Sequence, residues 1–575
     1  MPRELTDYEA GTVQESLLEF EQMQTWRNTF AGQWEEVSEL IRPNDRNTFF
    51  YGNFNWPGQK KTDRQVDATG MMANGRFGAI CDSLLTPRNS FWHGLKADNP
   101  YLMKQRGVRL WYEAVVRALF HYRYQWESNF TSQNQSNYQV LGAYGTMAMA
   151  VDEFDYTQQS EPTPGLRYRS IPLGQIYFRE NHQGLLDGFC WWHKRTAQQI
   201  MQIAGPEYFP EVLRPALEKK SPMLFNLLHR VVPNKALERG RLGARGKPFS
   251  SFLLSMEGKC LLRAEGGYRR LPVIGSRYDQ APDEIYGRGP AMAVLPALKT
   301  LNAEKRTFLK QGHRITDPVL FTNDDGVVDA SLRPGALNKG GVNADGKLMV
   351  AALPTGTLAM NKEMMEEERN LINDAFLVSL FQIMTESPQM TATEVIERTN
   401  EKGILIAPTV GRQQSEYLGP LIMREIDVLQ SQHLLPPMPA VMHEARGQFR
   451  HQIEYTSPLA KAMKAQEAAG FVRTVETVKE LVNITGDPSL LDPFDFDVAT
   501  PEIAQIQSVP ERWMADDAKI AQKRKARAQQ QEQQAKIQAM PAQAAMLKAQ
   551  AAAQKNGPGQ LPAQGGPPLA QQLGG

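Results

Sequence analysis

The 575 residues are enough for about four domains, and a composition of 41% hydrophobic and 22% charged residues excludes a wholly disordered or collagen-like chain. The 64 Lys and Arg residues nearly balance the 63 Asp and Glu residues, so the net charge of +1 argues against a protein that binds nucleic acid through an overall basic field. The 3 cysteines are far apart and form no CxxC pair, which argues against a disulfide framework or a structural zinc module and favours a reducing compartment.

No segment of the sequence predicts membrane insertion. The N-terminal residues lack the basic and then apolar order of a secretion signal. No apolar run approaches the roughly 18 residues that a membrane-spanning helix needs. We therefore expect no membrane among the partners of this protein.

The first part of the chain predicts helices. Apolar residues recur at helical spacing from Thr12 to Leu40, which indicates one or two amphipathic helices, and again from Thr69 to Leu85 and from Val108 to Trp126. Pro43 and Pro87 follow the first two segments, where proline disfavours continuation of a helix. The apolar faces of these helices require a shared core.

Strands are predicted in the next part of the chain. Short period-two runs between Met147 and Phe189 indicate a mostly antiparallel sheet. The segment from Gly205 to Gly246 is rich in Pro, Gly, Lys and Arg, and we interpret it as an insertion or long connection with a short helical piece. Strand-like sequence returns from Phe249 to Tyr268. The fold class predicted is α+β, predominantly α-helical.

Two long helices are predicted on either side of a small β-module. The first begins near Pro290, with Pro296 indicating a kink or a later start, and the second runs from about Leu358 to Met384. Two turn signals between them, Asp325-Gly326 and Asp345-Gly346, indicate a β-hairpin. At 1.5 Å per residue each helix is on the order of 40 Å long.

The last part of the chain is again mostly helical. A capping box from Thr391 to Glu394 predicts a helix start, and a Pro-rich break follows at residues 435–439. Further helices are predicted from Leu459 to Val482 and near Pro510 to Lys519. From Ala521 the sequence is Ala/Gln-rich, which suits a helix, and it then becomes Gly/Pro-rich, where we expect disorder.

Motifs for nucleotide and metal binding fit poorly. Gly287-Arg288-Gly289 lacks the third glycine of a dinucleotide loop and the Gly-Lys of a P-loop, so we interpret it as a tight turn that starts a helix. His182, Cys190 and His193 lack the paired spacing of zinc ligands. The acidic cluster of Asp492, Asp495 and Asp497 lacks the Gly and Glu of a calcium loop. No metal and no cofactor is predicted.

Catalytic and nucleic-acid-binding signals are also weak. No nucleophile elbow or zinc-protease motif occurs, which weakens an enzymatic function, although a triad of distant residues would leave no local motif. A solvated loop explains the basic residues Arg239, Arg241, Arg245 and Lys247. For the run of Lys523, Arg524, Lys525 and Arg527 contact with nucleic acid stays an alternative.

Several phrases occur in a specific order along the chain. They are WEEVSELIRP at 34–43, DATGMMANGRFGAICDSLLTP at 67–87 followed by Phe91-Trp92, IPLGQIYFRENHQG at 171–184, EIYGRGPAMAVLPALKTLN at 284–302, MTATEVIER at 390–398 and VPER at 509–512. In this order they resemble the portal, or head-to-tail connector, proteins of short-tailed double-stranded DNA phages. The resemblance extends to about residue 520, and none of the phrases is a catalytic signature.

The resemblance implies a subunit with wing, stem, clip and crown parts that assembles into a ring with a central channel. The helix, β-module, helix order inferred from the residues agrees independently with the stem, clip, stem order of that family. The implied parts are a wing at 1–288, a first stem helix at 289–314, a clip at 315–357, a second stem helix at 358–384, a tunnel loop at 385–391, a wing or channel helix at 392–435, a crown at 436–520 and a tail at 521–575.

The resemblance also implies a function and partners. The ring, usually a dodecamer, would occupy one capsid vertex of the virion after assembly in the host cytoplasm, and double-stranded DNA would pass through it during packaging and ejection. The implied partners are the terminase large subunit, tail adaptor or nozzle proteins, and the major capsid and scaffolding proteins. The resemblance implies neither catalysis nor a cofactor.

Site residues follow from the same division of the chain. The tunnel loop would bring Thr385, Glu386, Ser387, Pro388 and Gln389 to the DNA, and the acidic residues Glu363, Glu366 and Glu367 are candidates to line the channel. The candidate docking residues of the clip are Asp324, Asp325, Lys339 and Lys347. Two alternatives stay open: another structural head-tail joining or adaptor protein of the virion, and, third, a metal-dependent enzyme acting on nucleic acid.

Overall fold

The structure is a computed structural model, and it describes residues 6–50, 58–154, 164–317, 320–322, 342, 345–347, 350–352, 359–378, 407–444, 450–456, 458–486, 491–506, 509, 513–515 and 517–555. The chain forms two compact units, residues 1–508 and residues 509–575. Within the described ranges no helix is both long and apolar enough to cross a membrane. Helices and antiparallel sheets alternate along the larger unit, so the predicted α+β class is confirmed.

One long helix, α1 (Asp7–Leu40), opens the larger unit. The Thr6 hydroxyl accepts a hydrogen bond from the Glu9 backbone, and the Glu9 carboxylate accepts one from the Thr6 backbone, so the first turn is capped reciprocally. Phe20 and Trp34 are among its fully buried residues. The apolar spacing therefore belongs to a single helix, not two.

Three longer helices and one short helix form the core beside α1. They are α2 (Thr69–Leu85), α3 (Pro100–Met103), α4 (Arg106–Arg123) and α5 (Phe130–Tyr144). The bounds of α2 are those predicted, whereas α4 ends at Arg123 and not at Trp126. Helices α2 and α5 approach closely at Gly142, where an added Cβ would lie 2.7 Å from the Phe77 ring. A glycine at this position therefore permits the helix contact.

The sheets are antiparallel, as the period-two runs predicted. A three-stranded sheet has the order β10 (Val273–Arg277), β2 (Thr146–Glu153), β3 (Leu166–Ser170). A six-stranded sheet has the order β4 (Ile176–Glu180), β5 (Leu186–Thr196), β6 (Leu224–Pro233), β7 (Phe249–Ser255), β8 (Cys260–Leu261), with β9 (Gly266–Tyr268) paired to β7.

The interpretation of residues 205–246 as an insertion or long connection is wrong for residues 224–233 in the middle of the segment, which form strand β6. Strand β6 lies between β5 and β7 in the larger sheet, and Leu227 and Leu228 within it are fully buried. The segment also includes the end of α6 (Ala197–Tyr208) and the short α7 (Arg214–Glu218). A strand buried on both faces has little polar alternation, so the Pro-rich and basic flanks dominated the sequence pattern.

The C-terminal part of the larger unit returns to the core. Residues 407–412 are helical and continue through a π-helical turn, Gln413–Leu418, into α11 (Gly419–Ser431), which the short α12 (Ala440–Glu444) follows. Strand β13 (His451–Tyr455) pairs with β1 (His93–Ala97), and Leu95 lies opposite Ile453. Residues of the predicted crown segment, 436–520, thus pair with residues of the 1–288 segment.

The remaining helices include one correction. The larger unit ends with α13 (Pro458–Thr485) and α14 (Phe496–Ile506). In the smaller unit α15 runs continuously over Asp517–Lys555, so residues 517–519 begin this long helix instead of ending a short helix at 510–519. The helical part of the Ala/Gln-rich tail is confirmed. The capping box at Thr391–Glu394 lies outside the described residues.

Candidate functional site

The two predicted long helices form a helical hairpin, which we define as α9, β11, β12 and α10. Helix α9 (Leu295–Thr316) and helix α10 (Ala359–Ala375) pack against each other. Strands β11 (Leu320–Thr322) and β12 (Val350–Ala352) pair antiparallel between them. The order of helix, hairpin strands and helix is therefore the predicted one.

The start of α9 and the end of α10 each differ from the prediction for a physical reason. Residues Pro290–Ala293 form a separate short helix, α8, because Val294 leaves helical geometry at φ −100° and ψ 16° and Pro296 starts α9 in its first turn. Helix α10 ends at Ala375 and not at Met384, since Leu377 has a φ of 59° that an α-helix cannot continue. Residues 379–384 lie outside the described part of the chain.

The hairpin is tied to the core through one short segment. The Asn302 side-chain oxygen of α9 accepts hydrogen bonds from the backbone of Val66 (2.8 Å) and Asp67 (3.3 Å). The Asp67 carboxylate accepts from Arg369 of α10 at 3.0 Å and from the Thr69 backbone at 2.8 Å. Burial opposes ionisation of Asp67, but the hydrogen bonds from Thr69 and Arg369 hold its pKa below the ordinary value. The Val66-Asp67 segment thus contacts both helices of the hairpin, α9 through its backbone and α10 through the Asp67 carboxylate, which also accepts from the first backbone N–H of α2.

The candidate channel-lining residues lie on the outer face of α10. Glu363, Glu366 and Glu367 are exposed, whereas Met365 and Ile372 on the opposite side of the helix are buried. The three carboxylates are therefore free to face a partner or a channel. Their role in lining the channel stays a prediction.

The other candidate site residues lie mostly outside the described ranges. Lys347 is exposed and follows a turn at Asp345-Gly346, where Gly346 has a φ of 77°. The clip candidates Asp324, Asp325 and Lys339 lie outside the described residues, as do the tunnel-loop candidates Thr385, Glu386, Ser387, Pro388 and Gln389. Their predicted roles stay predictions.

The Gly287-Arg288-Gly289 segment packs against the end of α5. Gly145 ends that helix with a φ of 71°, and an added Cβ there would lie 2.3 Å from the Arg288 carbonyl carbon. A Cβ on Gly287 would lie 2.3 Å from the Gly145 oxygen, and one on Gly289 would lie 2.7 Å from the Gly145 nitrogen. The glycines therefore allow two backbone segments to touch just before α8 begins.

A buried polar network crosses the core beside β1 and β13. Arg123 of α4 donates to Glu425 of α11 through Nε at 2.9 Å and also through Nη2, and both side chains are 0% exposed. The Tyr168 hydroxyl donates to the same carboxylate at 2.5 Å, and Arg123 contacts the His93 ring nitrogen at 3.0 Å. Burial opposes the charge on Arg123, but the Glu425 carboxylate raises its pKa above the ordinary value. Four separate chain segments meet at this network.

A second buried arginine connects the π-helical turn to the sheets. Arg277 of β10 donates to Glu416 and to Glu180 of β4, each at 3.0 Å, and to the Gly184 carbonyl at 3.0 Å. Its side chain is 3% exposed. The sequence reasoning missed both networks because a lone Arg or Glu in a helix or strand carries no local signal of burial, and the partners are far apart along the chain.

A further arginine, Arg27, is buried against backbone carbonyls. Arg27 of α1 donates to the carbonyls of Gly174 (2.8 Å), Leu173 (3.2 Å) and Phe49, and its guanidinium lies 3.9 Å from the centre of the Tyr177 ring. Burial lowers its pKa. These contacts fix α1 against the loop before β4, and none of the partners named here for the three arginines belongs to the helical hairpin.

The side chains considered for metal binding do not converge. Cys190 is fully buried within β5, and burial raises the pKa of its thiol. His193 is largely buried next to Trp191, with ring centres 4.8 Å apart, while His182 is exposed. Over the described ranges, no group of three His, Cys, Asp or Glu side chains is arranged to hold a metal ion.

Comparisons with known proteins match most of the chain to one family. A family model described as bacteriophage head to tail connecting protein matches residues 14–514. The portal protein of Salmonella phage epsilon15 is 26% identical over 534 residues, which cover 91% of this chain and 92% of that protein. The probable portal protein of Bordetella phage BPP-1 is 25% identical over 528 residues, which cover 89% of this chain and 90% of that protein.

Solved structures with some similarity come from gene transfer agent particles. A chain in the neck of the native particle, computed with C12 symmetry, has a TM-score of 0.32 at 11% identity and covers 70% of this chain and 85% of its own length. A chain in the neck of the empty particle, computed with C6 symmetry, has a TM-score of 0.35 at 11% identity, with coverage of 71% and 86%.

Proposed function

We infer the detailed function of this chain from the premise that it belongs to the bacteriophage head to tail connecting protein family and is a head-to-tail connector. We propose that it is the portal subunit, which forms a ring at one capsid vertex of the virion. The ring is the conduit for double-stranded DNA during packaging and ejection. Assembly of the ring takes place in the host cytoplasm.

The family match supports the proposal because it spans most of the chain. It covers residues 14–514, which include both helices of the helical hairpin, the sheets and the C-terminal return to the core. Two relatives named portal protein or probable portal protein also match over about nine tenths of their own length. A match of that extent supports a shared architecture and not merely a shared module.

Charge and the hairpin agree with a channel protein. A formal net charge of +1 would keep phosphate contacts weak, and weak contacts let a duplex slide. Residues 385–389 are proposed as the tunnel loop. The segment 289–384 is proposed as stem, clip and stem, which the order of α9, the two hairpin strands and α10 supports. Energy for packing would come from a separate motor ATPase, so no catalytic activity and no cofactor are proposed for this chain.

The proposed partners follow from the two tasks of a portal. The terminase large subunit docks during packaging and the tail adaptor or nozzle proteins dock afterwards, both on the clip, for which Asp324, Asp325, Lys339 and Lys347 are the proposed docking residues. The major capsid and scaffolding proteins surround the ring during assembly. A terminase and an adaptor that share one surface must bind in turn.

Native mass spectrometry with negative-stain imaging tests the proposal. We expect rings of about twelve copies with a central channel. A stable monomer over a range of salt and protein concentrations would contradict it. Deletion of residues 322–350 should then leave the rings intact and abolish terminase docking, with deletion of the terminal residues 556–575 as the matched control that leaves docking unchanged.

A further inference from the structure

The outer faces of α9 and α10 carry opposite charges. On α9 the exposed side chains Arg306, Lys310 and Arg314 follow one another at four-residue steps and form what we call the basic stripe. On α10 the exposed side chains Glu363, Glu367 and Asp374 recur at steps of four and seven and form the acidic stripe. Within the described part of the chain, none of these six side chains has an ion-pair partner, whereas Lys299, about two turns before Arg306, is paired with Glu36 at 2.6 Å.

The two stripes lie at the same level along the hairpin. Asn302 of α9 and Arg369 of α10 both contact the Val66-Asp67 segment. Burial and the nearby Glu368 carboxylate raise the pKa of Glu304, so these two residues are also neighbours across the helix pair. The helices are therefore antiparallel, since residues further along α9 lie beside residues earlier in α10. Arg306 and Lys310 consequently lie level with Glu367 and Glu363.

Apolar side chains border both stripes. Met364 and Leu371 on α10 are 47% and 53% exposed, and Leu309 on α9 is 44% exposed. Met364 and Leu371 are seven residues apart and thus share one side of their helix. These exposed Met and Leu side chains give each stripe an apolar border that a second copy can bury on docking.

We propose that the basic stripe of one copy of this chain docks against the acidic stripe of the next copy. The inference rests on the proposed ring and identifies the surfaces that close it. A contact between two different faces is head-to-tail and closes into a ring when the rotations between successive copies complete a full turn, whereas a two-fold dimer through either face would bring like charges together. The charge pattern therefore favours the ring and disfavours the symmetric pair.

Charge reversal with complementary mixing tests this inference. The variant R306E/K310E has two acidic faces, and the variant E363K/E367K has two basic faces. Each alone should weaken association between copies by at least about tenfold and yield small species in native mass spectrometry and sedimentation velocity. Mixed together they should assemble into rings of strictly alternating, one-to-one composition. The fourfold swap R306E/K310E/E363K/E367K should form rings alone.

Matched controls separate this inference from the proposed function. K219E/R239E makes the same change of charge at exposed positions away from the hairpin and should leave assembly unchanged. Circular dichroism of each variant checks that it folds. If both reversal variants form rings like the parent chain, or if the mixture and the swap fail to restore rings, the inference is wrong while the portal proposal stands. If the parent chain itself forms no ring, the portal proposal fails.

Discussion

Arg123 and Glu425 are 302 residues apart in the sequence and form an ion pair in which neither side chain is exposed to solvent. The guanidinium also lies 4.6 Å from the centre of the Trp92 ring and 4.8 Å from that of Phe120. Aromatic rings and a carboxylate thus replace the water that the arginine loses. Two parts of the chain that precede and follow the helical hairpin are joined at this pair.

Removal of the Glu425 charge should be strongly destabilising. In Glu425→Gln the buried guanidinium loses its counter-charge, and we expect the free energy of unfolding to fall by about 3–5 kcal/mol. Chemical denaturation monitored by circular dichroism measures it. Glu218→Gln, at an exposed position, is the control and should change stability by less than about 0.5 kcal/mol. Equal stability of the two variants would contradict the structural role of the pair.

Stability should decrease in mild acid because of buried histidines. Burial, together with the nearby Arg263, lowers the pKa of His229 to about 3, so it stays neutral in the folded protein but is protonated in the unfolded chain below about pH 6.5. The stability contributed by neutral His229 is present in full above the unfolded pKa and is lost as the pH falls, by about 2 kcal/mol in total at pH 5. The loss should be smaller in His229→Gln, which keeps a polar group near Ser251, and unchanged in the exposed His182→Gln. Identical pH profiles for all three proteins would refute this assignment.

The Gly145 contact should tolerate no side chain. In Gly145→Ala the added Cβ would meet the Arg288 backbone at 2.3 Å, at a φ of 71° that alanine rarely adopts. We expect a loss of about 2–4 kcal/mol in the free energy of unfolding. Gly32→Ala is the opposite case, because nothing lies within 4 Å of that position in α1 and alanine should stabilise the helix by about 0.5–1 kcal/mol. Thermal unfolding of both variants measures whether each substitution lowers or raises stability.

The link between Asp67 and Arg369 should hold α10 in place. In Asp67→Ala the hydrogen bonds from the Thr69 backbone, in the first turn of α2, and from Arg369 are both lost, and we expect about 1–2 kcal/mol of destabilisation. Arg369→Ala removes only the second contact. Hydrogen exchange should show faster exchange in α10 for both variants, and in the first turn of α2 for Asp67→Ala alone. Unchanged exchange in α10 would show that other contacts hold the hairpin.

Local patterns in the sequence predicted the elements whose signals are local. Helical spacing located α1, α2 and α4, and helical spacing together with two turn signals predicted the order of two long helices around a β-module. The proline at 296 allowed two interpretations, and the structure selects a short α8 followed by a new start. The predicted end of α10 at Met384 was wrong, because the positive φ at Leu377 that stops the helix leaves no signal in hydrophobic periodicity.

The sequence by itself determined the α+β class, most helix positions and the resemblance to a phage connector, because helix periodicity and ordered phrases depend on residues near one another in the chain. Only the tertiary structure decided the central place of β6, the pairing of β1 with β13 and the Arg123 and Glu425 pair. Strand partners and buried ion pairs depend on which distant segments meet. A strand or an arginine has the same local pattern whether its partner is nearby in the chain or in a distant segment.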